Sequence, residues 1–142
     1  MSRDRGRLLA VDYGERRIGL AISDPMGMIA SPAGYILRRV GKRPPVAELI
    51  RRATALEARG FVIGLPLDQN GEDTDRAIEV RRLADELQRR TGLPTELLDE
   101  RFTTAAALRA IREMGGSTRH RKGDVDALAA TLLLQHALAR TT

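Results

Sequence analysis

The chain has 142 residues and 15.6 kDa, enough for one compact domain with its own core and too few for two, so residues 1–142 are read as a single domain. It contains no Cys, which excludes disulfides, thiolate metal sites and Cys nucleophiles, while its charged start, MSRDRGRLLAVDYG, excludes a signal peptide and no apolar run is long enough to span a membrane. Lys and Arg outnumber Asp and Glu by 24 to 19, which suggests a polyanionic partner, and aromatics at 3% with no Trp argue against recognition by stacking on unpaired bases. The elements then follow in order. Leu8-Leu9-Ala10-Val11 reads as a buried strand that runs into a turn at Asp12-Tyr13-Gly14, and Ile18–Ile22 reads as a second strand. A gap that short cannot hold a crossover helix, so the two strands pair as an antiparallel hairpin. Ser23–Gly27 has turn chemistry, and a third strand is expected between Met28 and Leu37, with Pro32 and Gly34 as its weak points.

From Pro44-Pro45 onward helix and strand alternate. Val46, Leu49, Ile50, Ala53 and Leu56 recur at helical spacing, with Gly60 as the expected stop. Phe61–Leu65 reads as a buried strand ended by Pro66. A helix over Thr74–Arg90 buries Val80, Leu83, Ala84 and Leu87 and is closed by Gly92. A short strand, Thr95–Leu98, leads to Asp99-Glu100-Arg101. Thr103 or Thr104 can cap a helix carrying Ala105, Leu108 and Ile111, which Gly115-Gly116-Ser117 breaks. A basic loop, Arg119 to Gly123, precedes a last helix with Leu128, Ala129, Leu132 and Leu133 on its apolar face; His136 is expected on that stripe as a packed residue. Three antiparallel strands followed by right-handed crossovers give an α/β fold with a mixed five-stranded sheet flanked by helices. That order is the order of the ribonuclease H-like fold. It is not a dinucleotide-binding domain, in which a helix follows the first strand directly.

Three acids fall at element ends. Asp12 ends the first strand, Glu100 ends the last, and Asp126 opens the final helix. Strand ends converge in such a sheet, and a helix across that edge brings its own acid to the same place. Converging carboxylates form a hard-oxygen site suited to Mg²⁺ or Mn²⁺. Two such ions roughly 3.5–4 Å apart activate a water and stabilise the leaving oxygen of a phosphodiester. Each acid also has a structural reading: Asp12 as a turn former, Glu100 with Asp99 in a surface ion pair with Arg101, and Asp124 or Asp126 as a helix cap.

The motifs around these acids carry a resemblance. Asp12-Tyr13-Gly14-Glu15-Arg16-Arg17-Ile18-Gly19 resembles the Asp-x-Gly-x-x-Arg-Ile-Gly opening of the YqgF/RuvX family. Gly64-Leu65-Pro66-Leu67 with Gly71 is similar to its middle segment, and Asp99–Thr104 to its Asp-Glu-Arg-x-Thr/Ser-Thr segment. Lys122-x-x-x-Asp126-x-x-Ala129-Ala130 with Leu134-Gln135 is similar to its closing helix. The match runs end to end and in order. It implies a ribonuclease H-like, metal-dependent nuclease that matures the 5′ end of pre-16S rRNA, or alternatively one that resolves Holliday junctions, in the cytoplasm. It also implies Asp12, Glu100 and Asp126 as the metal-binding, catalytic acids, with Asp68 as a fallback for the middle position.

The cations sort by position. Arg119, Arg121 and Lys122 precede Asp126 and are expected to hold substrate phosphates, as is Arg17 one turn beyond Asp12. Arg51-Arg52, Arg81-Arg82 and Arg89-Arg90 lie opposite apolar helix faces and read as solvated surface. His120 is a loop residue, read as a mobile surface His. Two other classes of function compete. A phosphotransferase of the actin and sugar-kinase type shares the superfold but needs two such domains, and a non-catalytic RNA-binding factor leaves three acids without a purpose. Symmetric cutting of a junction, unlike rRNA processing, requires a homodimer.

Overall fold

The computed structural model describes residues 6–39, 41, 43–101, 107–108 and 122–140, with 122–126 described in their backbone alone. The elements are β1 (Arg7–Tyr13), β2 (Arg17–Ser23), β3 (Ala30–Leu37), α1 (Val46–Ala55), β4 (Ala58–Leu65), α2 (Asp75–Thr91), β5 (Thr95–Asp99) and a last helix, here α3 (Lys122–Arg140). Residues 107 and 108 are helical, while the rest of the helix expected around Ala105 and Ile111, and the expected loop from Gly115 to Arg121, lie outside the described residues.

The strands form one sheet in the order β3-β2-β1-β4-β5. β1 pairs with β2, and β2 with β3, antiparallel; β1 pairs with β4, and β4 with β5, in parallel. Each hand of pairing follows from its connection, since tight turns join the first three strands and helices join the rest. Side chains alternate across β1. Leu9, Val11 and Tyr13 join Phe61, Ile63, Leu49, Val80 and Leu83 in the core under α1 and α2. Ala10 joins Ala21, Val62 and Leu98 under α3, which contributes Ala129, Ala130, Leu133 and Ala137. Alanine facing alanine lets α3 lie close to the sheet. Among the described residues no helix is long and apolar enough to cross a membrane.

Several boundaries differ from the sequence expectation. Gly60 does not stop α1; that helix ends at Ala55, and Glu57 takes the left-handed backbone (φ 57°) that a glycine was expected to supply. Gly60 lies buried inside β4 instead, where an added Cβ would stand 2.9 Å from Leu8 Cδ2 and 3.3 Å from the Pro94 carbonyl oxygen. β3 starts at Ala30 and not at Met28, because the Asp24 carboxylate accepts the N–H groups of Met26, Met28 and Ile29 at 3.2, 2.7 and 2.7 Å and holds them in the turn. Pro32 is tolerated because β3 is an edge strand and the β2–β3 register shifts between Gly19 and Ala21.

The last helix is also longer than expected. It begins at Lys122, so Lys122 and Gly123 belong to α3 and not to the loop, and Asp124 and Asp126 are interior positions and not caps. Its buried apolar residues are Ala127, Ala129, Ala130, Leu133, Leu134, Ala137 and Leu138, of which Ala129 and Leu133 were expected; His136 is exposed and Leu128 is 46% exposed. The stripe is set by which helix face lands on the sheet, and both residues fall beside it.

Gly92 closes α2 in the left-handed region at φ 72°, as expected, whereas Thr74, expected as the first residue of the helix, is its cap: its Oγ1 accepts the Ala77 N–H at 3.1 Å and donates to the Pro66 carbonyl at 2.6 Å. Because one hydroxyl both caps the helix and ties it to the end of β4, Thr74→Ala is expected to lower stability by about 1–2 kcal/mol, measured by urea unfolding, with Thr74→Ser retaining most of it.

Candidate active site

β1 and β5 flank β4, and all three run in the same direction, so their carboxyl ends lie along one edge of the sheet. Asp12 follows Ala10 on the α3 side of β1 and is fully buried. Its partner on β2 is Gly19. On β4 the residue at the same level is Gly64, one step beyond the Val11–Ile63 pair and opposite Leu98 of β5. Glu100 stands two residues after Leu98 on the same side and is 1% exposed. Its carboxylate lies directly over Gly64: an added Cβ there would stand 2.8 Å from Oε2 and 3.0 Å from Cδ. The two acids therefore meet one face of the sheet from two strands, with a strand between them that presents no side chain.

Burying two carboxylates on one face is costly unless cations or hydrogen-bond donors compensate. Arg17 opens β2 on this side, since it alternates with Gly19 and Ala21, and its guanidinium lies 5.8 Å from the Tyr35 ring centroid. α3 packs across the same face and carries Asp126 in its first turns, with that side chain and that of Lys122 outside the described residues. Arg119, His120 and Arg121 lie wholly outside them. Among the described residues no group of three or more His, Cys, Asp or Glu side chains could hold a metal ion, so the described part of the site is the pair Asp12 and Glu100.

The neighbouring acids have structural work. Asp68 Oδ1 accepts the N–H groups of Asn70 and Glu72 at 2.8 and 2.9 Å, which builds the turn after β4. Asp99 is exposed and grips Arg101, with the Arg101 Nη2 to Asp99 Oδ2 contact at 2.9 Å, so Arg101 pairs with Asp99 and leaves Glu100 to the interior. That contact holds the Asp99 carboxyl below its ordinary range and the Arg101 guanidinium above its own. The local sequence Asp99-Glu100-Arg101 left open which acid faced inward; strand alternation decides it.

A cluster on the opposite face pins the turn that follows Asp12. The Tyr13 hydroxyl donates to Glu79 Oε2 at 3.1 Å, and Arg38 Nη2 donates to the same oxygen at 3.0 Å. Arg38 Nη1 donates to the Gly14 carbonyl at 2.9 Å, and its guanidinium stacks 4.2 Å from the Tyr13 ring centroid. These residues come from three distant segments, and Arg38 and Glu79 were singled out by neither motif nor periodicity. The one sequence signal was Tyr13, a phenol in an otherwise apolar alternation, whose hydroxyl needs a partner when buried.

The family model for RuvX, described as Holliday junction resolvase, matches residues 6–140. The chain belongs to the RuvX family. Similar proteins named "Putative pre-16S rRNA nuclease" occur in Koribacter versatilis, at 42% identity over 95% of this chain and 88% of the relative, and in Clavibacter michiganensis, at 39% over 94% and 83%. Among solved structures, RuvC of Thermus thermophilus in complex with a Holliday junction substrate superposes with a TM-score of 0.54, covering 96% of each chain at 14% identity. That likeness shows the ribonuclease H-like fold expected from the element order. In this RuvX family member the two inward acids belong to the Asp-x-Gly and Asp-Glu-Arg segments that resembled the family.

Two outcomes are expected. Gly64→Ala should cost about 1–3 kcal/mol in urea unfolding because the new methyl meets the Glu100 carboxylate, and in the Glu100→Ala background most of that cost should vanish. Burial, opposed by the Arg38 charge, raises the Tyr13 pKa well above its ordinary value of 10.0. The unfolded chain then releases the phenolic proton first, so the stability Tyr13 contributes is complete below about pH 10 and falls as pH rises beyond it. Thermal unfolding between pH 9 and 11 should show this decline, and Tyr13→Phe should make it shallower.

Proposed function

We propose that this chain is a divalent-metal-dependent phosphodiester nuclease of a single domain, residues 1–142, acting in the cytoplasm on the 5′ end of pre-16S rRNA. The observation that carries the reading is the burial of Asp12 and Glu100 on one face across Gly64. Two neighbouring buried carboxylates are an all-oxygen donor set with excess negative charge, and this fits a hard divalent cation such as Mg²⁺ or Mn²⁺. Asp12 and Glu100 would hold such ions, two by the usual arrangement for this chemistry, from the sheet, and Asp126 would do so from α3. When bound, the ions supply an activated water and stabilise charge on the leaving oxygen.

The remaining residues position the substrate. Arg17, on the acids' face, would hold an oxygen of the phosphate near the cut. Arg119, Arg121 and Lys122, just before Asp126 in the chain, would hold flanking phosphates without reading bases. The Arg38 and Glu79 cluster keeps the Asp12–Gly14 turn in one conformation from the far side of the sheet. The names of the relatives support rRNA as the substrate. The family description supports a second reading, resolution of branched DNA, for which a homodimer would be needed to cut two strands symmetrically.

The test is incubation of purified protein with a labelled pre-16S 5′ leader and a synthetic four-way junction, each with Mg²⁺ or Mn²⁺. Cleavage of the leader in preference to the junction is expected, and the reverse preference would move the assignment to branched DNA. Asp12→Asn should lower cleavage at least about a hundredfold, the upper range for loss of an outer-shell metal partner alone, while leaving nucleic-acid binding intact. Near-wild-type cleavage by Asp12→Asn protein would remove Asp12 from the reaction.

A further inference from the structure

The run Arg38-Arg39-Val40-Gly41-Lys42-Arg43 carries four cations in six residues, and no acid follows until Glu48. It leaves β3 at the end of the sheet where Asp12 lies, because β3 runs parallel to β1 through two antiparallel pairings. The Arg38 N–H donates to the Arg16 carbonyl at 2.8 Å, which joins the start of the run to the β1–β2 turn. Arg38 itself is turned inward, onto Tyr13, Gly14 and Glu79. At the other end of the connection, Pro45 lines a groove with Tyr35, Ile36 and Leu37, so the chain returns beside the last residues of β3.

Arg16, Arg39 and Arg43 are exposed, and none of them forms an ion pair among the described residues. Glu15 in the same turn offsets one of these charges and leaves two in excess. Many arginines elsewhere are engaged: Arg51 and Arg52 with Glu48, Arg81 with Asp73, and Arg90 with Glu86. A guanidinium held by a carboxylate has little charge left for a phosphate. One that stands in water releases counterions when a phosphate replaces them.

We propose that Arg39 and Arg43, with Arg16 from the β1–β2 turn, form a docking strip for the phosphodiester backbone that flanks the cut. The inference rests on the nuclease reading and extends it, because it assigns backbone binding to a connection distinct from the acids and from the basic segment before Asp126. Contacts of this kind recognise phosphate alone, so the strip serves RNA and DNA alike.

The test reads binding without turnover. Fluorescence anisotropy is measured in EDTA with a labelled RNA duplex and a labelled DNA duplex of the same sequence, at 50 to 200 mM KCl. Arg39→Ala/Arg43→Ala should flatten the log–log dependence of affinity on salt by about 1.8, the loss of two phosphate contacts at roughly 0.9 each on a duplex. Arg39→Lys/Arg43→Lys should restore the slope, and Arg81→Ala/Arg90→Ala, which removes arginines already held by carboxylates, should not change it. An unchanged slope in the first variant, or an equal flattening in the α2 control, overturns the proposal. Absence of binding by the wild-type protein also overturns it. If the slope flattens as expected but the wild type cleaves no substrate with Mg²⁺ or Mn²⁺, the strip stands and the nuclease reading alone falls.

Discussion

The close approach of the Glu100 carboxylate to the backbone of Gly64 is the contact on which the site depends. Two acids from non-adjacent strands can serve one face only if the strand between them gives up its side chain at that level. Gly64 does so, and the ideal Cβ position at 2.8 Å from Oε2 shows that no other residue fits without moving the acid. Gly19 plays the corresponding part on the other flank of Asp12, where it is the paired residue on β2. The carboxyl edge of the sheet thus presents carboxylates between glycines, with small residues at the next level beneath α3, at Ala10 and Ala21.

The two faces of β1 divide the labour. On the α3 side, Asp12 sits among small side chains and a helix that carries a third acid in its backbone path. On the other side, Leu9, Val11 and Tyr13 enter the larger core, and Tyr13 ends in a hydrogen bond to Glu79 beneath the stacked Arg38. The same three-residue segment, Asp12-Tyr13-Gly14, therefore carries a buried acid on one side and an anchor on the other. An acid at a strand end would otherwise share the freedom of its turn, and the Arg38 bond to the Gly14 carbonyl removes that freedom.

Much of the fold was legible locally. The gap between Val11 and Ile18 was too short for a crossover, which forced a hairpin, and the alternation of helical and strand periods after Pro45 forced parallel pairing. Gly92 marked the end of α2 because capping chemistry acts within one turn of chain. Gly60, His136 and Leu128 were misjudged for the opposite reason. A glycine needed for a close approach to Leu8 and Pro94 looks the same in sequence as one that ends a helix, and the edge of a helix stripe depends on where the helix lands.

By itself the sequence determined the element order, the mixed sheet and the family's motif segments, because period, capping and motif spacing are properties of contiguous residues. Only the tertiary structure decided what surrounds the acids. That Glu100 is buried while Asp99 grips Arg101, that Asp68 is spent on its own turn, and that Arg38 reaches Glu79 across 41 residues are outcomes of register and packing. The physical reason is that a carboxylate's role follows from its neighbours in space, and these arrive from strands and helices far apart along the chain.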